Sequence, residues 1–459
     1  MDSAAPTPPF DIVLIGGGAS GVITALQLLR QARAPRRIAL LEPAAHLGDG
    51  VAYATRRPEH LLNVPAGKMS LFPDLPNDFV DYLQSAGHAG DDEVGLPRRY
   101  VSRMHYATYL RDRLASARAA SPATLDVQQA RVAALQRQDA RWTVQLEDGG
   151  TLQAAHVVLA VGNAPRPLPL RGASALEFPR RLEAWDTEAV AAVSPQASLC
   201  VVGSGLTMVD VAITRDVQGQ QAPLHVVSRH GVMPLPRAET EPFDFDAQAL
   251  HAMGLRQRLR HLRRQAAIAQ AQGLPWQSVM ETVRPMVRAL WQSLHEADQR
   301  RFLRHAVRYW DVHRHGIDPA LHQRLVAMRE RGTLRLHRAR LDAAWAAGAC
   351  IHVEGREESG GVLHLEVQGV LNATGVEMRV QAMRNPLLQQ LLGEGHAVPG
   401  PHGIGIDVDP QGRVVAADGQ TDRQLWVIGS LRIGREWESL AIPELRVQAD
   451  TLGRELSGA

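Results

Sequence analysis

Short uninterrupted apolar runs alternate along the chain with segments whose apolar residues recur every three or four positions. The first run, Ile12-Val-Leu-Ile15, enters Gly16-Gly-Gly-Ala-Ser-Gly21. Val22, Ala25, Leu26, Leu28 and Leu29 follow at helical spacing, and then Ile38-Ala-Leu-Leu41. This order predicts strand, glycine turn, amphipathic helix, strand. The helical period returns over 106–117, and 127–135, 142–146 and 155–161 read as three strands, the last ending in Gly162-Asn-Ala-Pro165. Strand, glycine turn, helix and strand then recur over 198–231. From 243 to 315 the pattern is helical, with Leu255, Leu259, Leu262, Val283, Val287 and Leu290 among the residues of its apolar stripe. Strand character reappears at 334–336 and 363–371, the latter running into Asn372-Ala-Thr-Gly375. A final strand ends at Ile428-Gly429, and a last helix holds Ile442 and Pro443.

The glycines turn the first pattern into chemistry. Gly16 permits a tight turn, Gly18 lets backbone approach a diphosphate, and Gly21 lets the helix lie close on its strand, so that the first-turn amides, near Ala19 and Ser20, meet the phosphate charge. A left-handed conformation is expected at Gly18, where another residue would be strained by roughly 1–2 kcal/mol. Glu42 closes the second strand and is placed to accept a hydrogen bond from a ribose hydroxyl. In the second unit, Gly203 and Gly205 are kept, Thr207 follows, and Met208 stands at the third glycine, setting helix and strand slightly farther apart. Ser228-Arg229 ends the next strand where an acid would repel a 2′-phosphate, so the second nucleotide is expected to be NADPH, held by Arg229 through charge-assisted hydrogen bonds.

Composition narrows the picture. The 459 residues suffice for two or three domains, and 50 basic against 48 acidic side chains make no overall field for nucleic acid or an anionic membrane. The twelve arginines of 243–315 are not expected to carry interleaved exposed aromatics or to form a known nucleic-acid module, and a helical insertion packed over the cofactor cleft is expected instead. No apolar run reaches the roughly 18 residues of a membrane span. Residues 1–10 lack the charged region and apolar stretch of a signal peptide, so the expected compartment is the cytoplasm. Cys200 and Cys350 lie far apart and read as buried thiols. His313 and His315 have no third ligand nearby, and no metal is expected. Lys68 is the sole lysine. It falls in the irregular stretch 60–74, whose Leu, Val, Met and Phe content suits a wall against a flavin ring, with Asn63 and Lys68 as polar contacts to it.

The order Gly16-x-Gly18-x-x-Gly21, Glu42, Ala160-Val-Gly162, Gly203-x-Gly205, Ala373-Thr-Gly375 and Ile428-Gly429 resembles the two-dinucleotide-binding-domain flavoproteins. Leu62-Asn-Val-Pro-Ala66, Phe302-Leu-Arg-His305, Trp310-Asp-Val-His-Arg314 and Ile442-Pro-Glu-Leu-Arg446 resemble the bacterial FAD/NAD(P)-binding proteins of the YdhS-like group, over nearly the whole chain. That group is distantly similar to the N-hydroxylating and Baeyer–Villiger flavin monooxygenases. The Baeyer–Villiger fingerprint is broken here at Ala175, Glu177 and Arg181, and Ser430 replaces the usual acid after the final strand.

The resemblance implies an α/β fold with two Rossmann-like dinucleotide-binding domains. The expected bounds are FAD domain 1–165 and 366–459, inserted NADPH domain 166–242 and 331–365, and helical insertion 243–330. It implies FAD and NADPH as cofactors, O2 and a small molecule as substrates, and oxygen transfer through a C4a-(hydro)peroxyflavin. The last helix would point its N-terminus at the flavin. The cofactor-binding set is Gly16, Gly18, Ala19, Ser20, Gly21, Glu42, Val132, Gly162, Gly203, Gly205, Thr207, Arg229, Gly375, Gly429 and Ile442, with Asn63 and Lys68 as catalytic candidates. A flavin NAD(P)H dehydrogenase or oxidase, and a non-catalytic FAD-binding redox sensor, share the nucleotide motifs. Homo-oligomerisation is left open.

Overall fold

A computed structural model describes residues 8–88, 90 and 94–457. They divide into two compact units: the described parts of Met1–Thr55, Val64–Ala164 and Glu377–Ala459 form one, Arg56–Asn63 with Pro165–Val376 the other.

The first unit is built on an eight-stranded sheet. Strand Phe10–Ile15 lies between Arg37–Leu41 and Thr151–Leu159, parallel to both. Thr124–Gln128 extends the sheet on one side and Thr421–Val427 on the other, again parallel. Ile12 to Leu14 and Ile38 to Leu41 are almost fully buried, as expected of parallel strands covered on both faces. Residues 127–135, expected to be one strand, are divided between Thr124–Gln128 and Val132–Gln138. The second piece turns away to pair antiparallel with Arg141–Leu146. Helices Ala19–Gln31 and Arg103–Ala120 and the C-terminal helix Ile442–Ser457 complete the layers.

The second unit repeats the plan. Leu199–Val202 lies parallel between Leu224–Ser228 and Gly369–Asn372, and helix Leu206–Val217 follows it. Its seven-stranded sheet ends in an antiparallel meander, Leu334–Ala347, Cys350–Glu357 and Val362–Val367. The strand expected at 334–336 therefore runs eleven residues further. The strand expected over 363–371 is two, broken at Gln368, whose side-chain oxygen accepts the Ser198 N–H at 2.7 Å.

Two expected boundaries move for reasons of pairing. Gly369–Asn372 pairs with Leu199–Val202 and Arg181–Glu183, so the second unit extends to Val376 and Gly375 lies within it. Arg56–Asn63, expected in the first domain, belongs to the second unit. There Arg57 pairs with Glu188 at 3.1 Å, His60 Nε2 meets Thr214 Oγ1 at 2.7 Å, and Arg237 Nε donates to the Asn63 carbonyl at 3.2 Å.

Helices Leu255–Ala271, Gln277–Val283, Val287–Gln292, Glu296–Arg301, Val307–Arg314 and Pro319–Glu330 fill most of the span expected to be helical, with a π-helical turn at Phe302–Ala306. Several of its arginines turn inward. Arg258 is 5 % exposed and donates to the carbonyls of Leu290 and Met253 and to Ser293 Oγ, so its charge organises helix ends. No helix among the described residues is long and apolar enough to cross a membrane.

Candidate functional site

The first glycine turn is set by close approach. Gly16 has φ of +109°, and a Cβ there would stand 2.3 Å from the Ala160 carbonyl oxygen, at the end of the neighbouring strand. A Cβ on Gly21 would stand 1.8 Å from the Gly16 oxygen, so glycine alone lets this helix meet its strand. Gly18 is not left-handed as expected: its φ is −67°, and a Cβ would meet only Gly50, whose Cα is 3.5 Å away. The left-handed residue is Gly16, and Gly18 keeps open the space before the helix. Gly18 caps that helix without a side chain, and the amides of Ala19, Ser20 and Gly21 belong to a first turn with no acceptor inside the helix. That is a cradle suited to phosphate oxygens. Glu42 Oε2 accepts the Gly17 N–H at 2.6 Å and Oε1 the Ala44 N–H at 2.9 Å, which ties the acid to the turn and leaves lone pairs on both oxygens. Val132 is buried in the same unit's core beside Ala39 and Leu41.

The second turn has the same geometry. Gly203 has φ of +112°, and a Cβ would stand 2.2 Å from the Ala373 carbonyl oxygen. Gly162 and Gly375, two residues beyond those alanines, have φ of +72° and +86°, with open space where a Cβ would lie. Thr207 sits in the first turn of helix Leu206–Val217, and Met208 is fully buried in the core of this unit.

Arg229 is exposed, without a hydrogen-bond or ion-pair partner among the described residues. Sequence reasoning missed Arg308, one of twelve arginines in a helical run. Arg308 Nη2 donates to the carbonyls of Ser204, at 2.7 Å, and Val232, at 3.2 Å, and its Nη1 lies 3.6 Å from where a Gly205 Cβ would be. Burial lowers the pKa of the Arg308 guanidinium. Burial, and then the charges of Arg229, Arg338 and Arg308, push the His230 imidazole down. This corner is cationic and faces the second turn. Glu42 makes the corresponding corner of the first unit acidic.

The irregular stretch after Val64 is well held. Met69, Leu71 and Phe72 are buried, Leu71 N–H donates to Tyr109 Oη at 3.2 Å, and Arg446 Nη1 donates to the Ser70 carbonyl at 3.1 Å. Lys68 ends the short turn Ala66–Lys68 with its side chain exposed. Asn63 and Lys68 thus belong to different units. In the second unit, Arg237, which holds the Asn63 carbonyl, also lines a shallow cleft with Trp276, Met280, Glu281, Arg284 and His313.

At the end of the last parallel strand, Gly429 has φ of +79° and a Cβ there would stand 2.7 Å from Ser20 Oγ, so backbone passes close to the first turn. Ser430 Oγ donates to the Gly162 carbonyl at 2.7 Å, the contact made where an acid was expected. Gln448, on the last helix, accepts the Gly429 N–H at 2.9 Å and donates to Glu436, which forms a buried ion pair with Arg432. Trp437 has φ of +62° and ψ of −64°, and the Glu438 N–H returns to the Glu436 carbonyl at 2.8 Å. This is a strained γ-turn shortly before Ile442, where the last helix begins.

Two α/β sheets with parallel centres, each with a glycine turn entering a helix, define the class of dinucleotide-binding folds that flavoproteins use. Residues 13–164 match the protein-family model described as FAD-NAD(P)-binding. Comparison with curated protein sequences gives no match. Among solved structures, the chain is similar to the reduced form of the ornithine hydroxylase PvdA from Pseudomonas aeruginosa, with a TM-score of 0.67 and 18% identity over 98% of this chain and 99% of that one. It is also similar to the ornithine N-hydroxylase KtzI of Kutzneria sp. 744, described with reduced FAD, NADP+ and L-ornithine: TM-score 0.68, 14% identity, 98% and 99% of the two chains. Thioredoxin reductase of T. acidophilum shares the fold at a TM-score of 0.54 and 12% identity, over 98% and 99%.

Proposed function

We propose that the chain is a cytoplasmic FAD-dependent, NADPH-using monooxygenase acting on a small molecule. The observation that carries this reading is the doubled glycine turn, with an acid at the corner of the first and arginines at the corner of the second. In the first unit, the backbone amides of 18–21 bind a diphosphate and Glu42 takes a ribose hydroxyl. In the second, the amides of 205–207 bind the diphosphate of NADPH, Arg308 adds positive charge beside them, and Arg229 takes the 2′-phosphate. Bound FAD would supply the redox chemistry, taking two electrons from NADPH and delivering them to O2, so that one oxygen atom enters the substrate and the other leaves as water.

The cysteines favour this reaction over disulfide reduction. Cys200 is fully buried and its thiol is pushed up to about 12 by desolvation, while Cys350, expected to be buried, is only half-buried, because it starts a strand of the edge meander three strands away in the same sheet. They do not make the closely spaced dithiol of a disulfide reductase. The cleft beside Asn63, with the Glu281 carboxylate 2.6 Å from Arg284 and 3.9 Å from Arg237, supplies polar groups on the substrate side.

The test is reduction of the purified yellow protein by NADPH without oxygen, followed by oxygen uptake. Loss of the visible flavin band with NADPH, faster than with NADH, and reoxidation by O2 are expected. Protein that holds no flavin after reconstitution, or whose flavin NADPH leaves oxidised, would end the reading.

A further inference from the structure

We propose that the edge meander of the second unit carries a site for one divalent transition-metal ion of the Zn2+ or Co2+ class, held by His352, His364 and Glu366. Strand register places them together. Trp345, His352 and Glu366 are direct partners across three neighbouring strands, so their side chains leave the sheet on one face. Glu354 and His364, also opposite each other, lie two residues along on that face.

The distances fit an ion. His352 Nδ1 is 3.2 Å from His364 Nε2, and each is 3.9 Å from Glu366 Oε1. A point equidistant from the corners of that triangle is about 2.1 Å from each, the length of Zn–N and Zn–O bonds. The three donor atoms therefore already stand at coordinating separations, with a hydrogen bond between the two imidazoles in the place an ion would take. His364 and Glu366 are exposed, which leaves the remaining coordination position to water. Glu354 Oε1 lies 3.5 Å from His364 Nδ1. With an ion on Nε2, the Nδ1–H would face that carboxylate, the usual way a metal-bound imidazole is oriented. The Trp345 ring stacks on His352, centroids 5.6 Å apart and planes 14° apart, which limits rotation of the imidazole.

Trp345 also supplies a readout independent of activity. The full-length flavoprotein, free of any histidine tag and stripped with chelator, is titrated with Co2+ and then Zn2+. Tryptophan emission is recorded, with calorimetry for stoichiometry. One equivalent of Co2+ is expected to quench a saturable part of the emission, and Zn2+ to restore it. Trp345→Phe should lose the quenching and keep the calorimetric equivalent. Glu354→Gln should weaken binding by about 10–100-fold, and His364→Ala should abolish it with an unchanged flavin spectrum. Undiminished binding in both His364→Ala and Glu366→Gln would overturn the proposal. So would binding that instead disappears in His225→Asn, which breaks the other histidine pair, His225 with His337 at 3.0 Å. Absence of saturable Zn2+ binding up to millimolar concentration would overturn it equally.

Discussion

Replacing Arg229 with alanine tests the proposed 2′-phosphate contact apart from the proposed diphosphate contacts. The side chain is exposed and has no acid partner among the described residues, so its loss strands no buried charge and breaks no packing. On the proposed assignment, what it removes is a pair of charge-assisted hydrogen bonds to a 2′-phosphate, roughly 2–3 kcal/mol. At about 1.4 kcal/mol per decade that is about 30–150-fold in the NADPH dissociation constant. Arg338 is already engaged by Glu358 and Arg308 by the Ser204 and Val232 carbonyls, so neither is free to replace it, although their charge remains and favours the lower end of the range. NADH lacks the 2′-phosphate and should be affected by no more than about twofold. Arg308→Ala is the contrasting variant: its guanidinium lies beside the turn itself, so both coenzymes should weaken together. The assay is anaerobic flavin reduction at several concentrations of each coenzyme, at two ionic strengths, because the arginine's contribution is screened by salt. Equal losses for NADPH and NADH in Arg229→Ala would refute the assignment.

Other expectations follow from the same geometry. Gly16→Ala forces a side chain into φ of +109° against the Ala160 carbonyl and should cost at least about 2 kcal/mol in denaturant unfolding, whereas Gly18→Ala should leave stability within about 0.5 kcal/mol and still reduce FAD retention on dialysis. If both variants lose stability alike, the division of roles between the two glycines is wrong. Glu436→Gln leaves Arg432 buried without its carboxylate and should destabilise by about 3–5 kcal/mol, while Arg432→Met with Glu436→Leu should recover most of that. A thermal melt of Glu436→Gln that matches the parent would contradict this. The His315 imidazole is pushed down to about 3, first by burial and then by Arg314, Arg237 and Arg284. It therefore binds its proton in the unfolded chain first. Stability should fall as pH drops from about 6.5 towards 3, by up to about 1.4 kcal/mol per unit, and unfolding curves at two acidic pH values should show a shallower fall in His315→Gln.

How far residues announce their own roles depends on whether the information is local. Gly16, Gly21 and Glu42 are legible because each acts within one βαβ unit, where spacing along the chain is spacing in space. The helical span after residue 243 is legible for the same reason, from a period of three and four. The strand at 369–372 was misassigned because pairing, not sequence, decides which sheet a short apolar run joins. Gly18 was given the conformation that belongs to Gly16, since a glycine's φ depends on what crosses above it, here Ala160 from more than a hundred residues away. Arg308 could not be told from the other arginines of its helices, because its target is a carbonyl at residue 204. His352, His364 and Glu366 show no ligand spacing at all; only the register of the meander brings them within reach of one another.

The turn Ala66–Lys68 offers a practical consequence. Its terminal residue carries the one ε-amine in a chain whose other basic side chains are all guanidinium or imidazole groups. An amine-reactive dye, applied above neutral pH after the α-amino group has been blocked, will label a single known address. A lysine-specific endoproteinase has one bond to cut, between Lys68 and Met69. The rate of either reaction, with and without added nucleotide, therefore tracks the order of this segment alone.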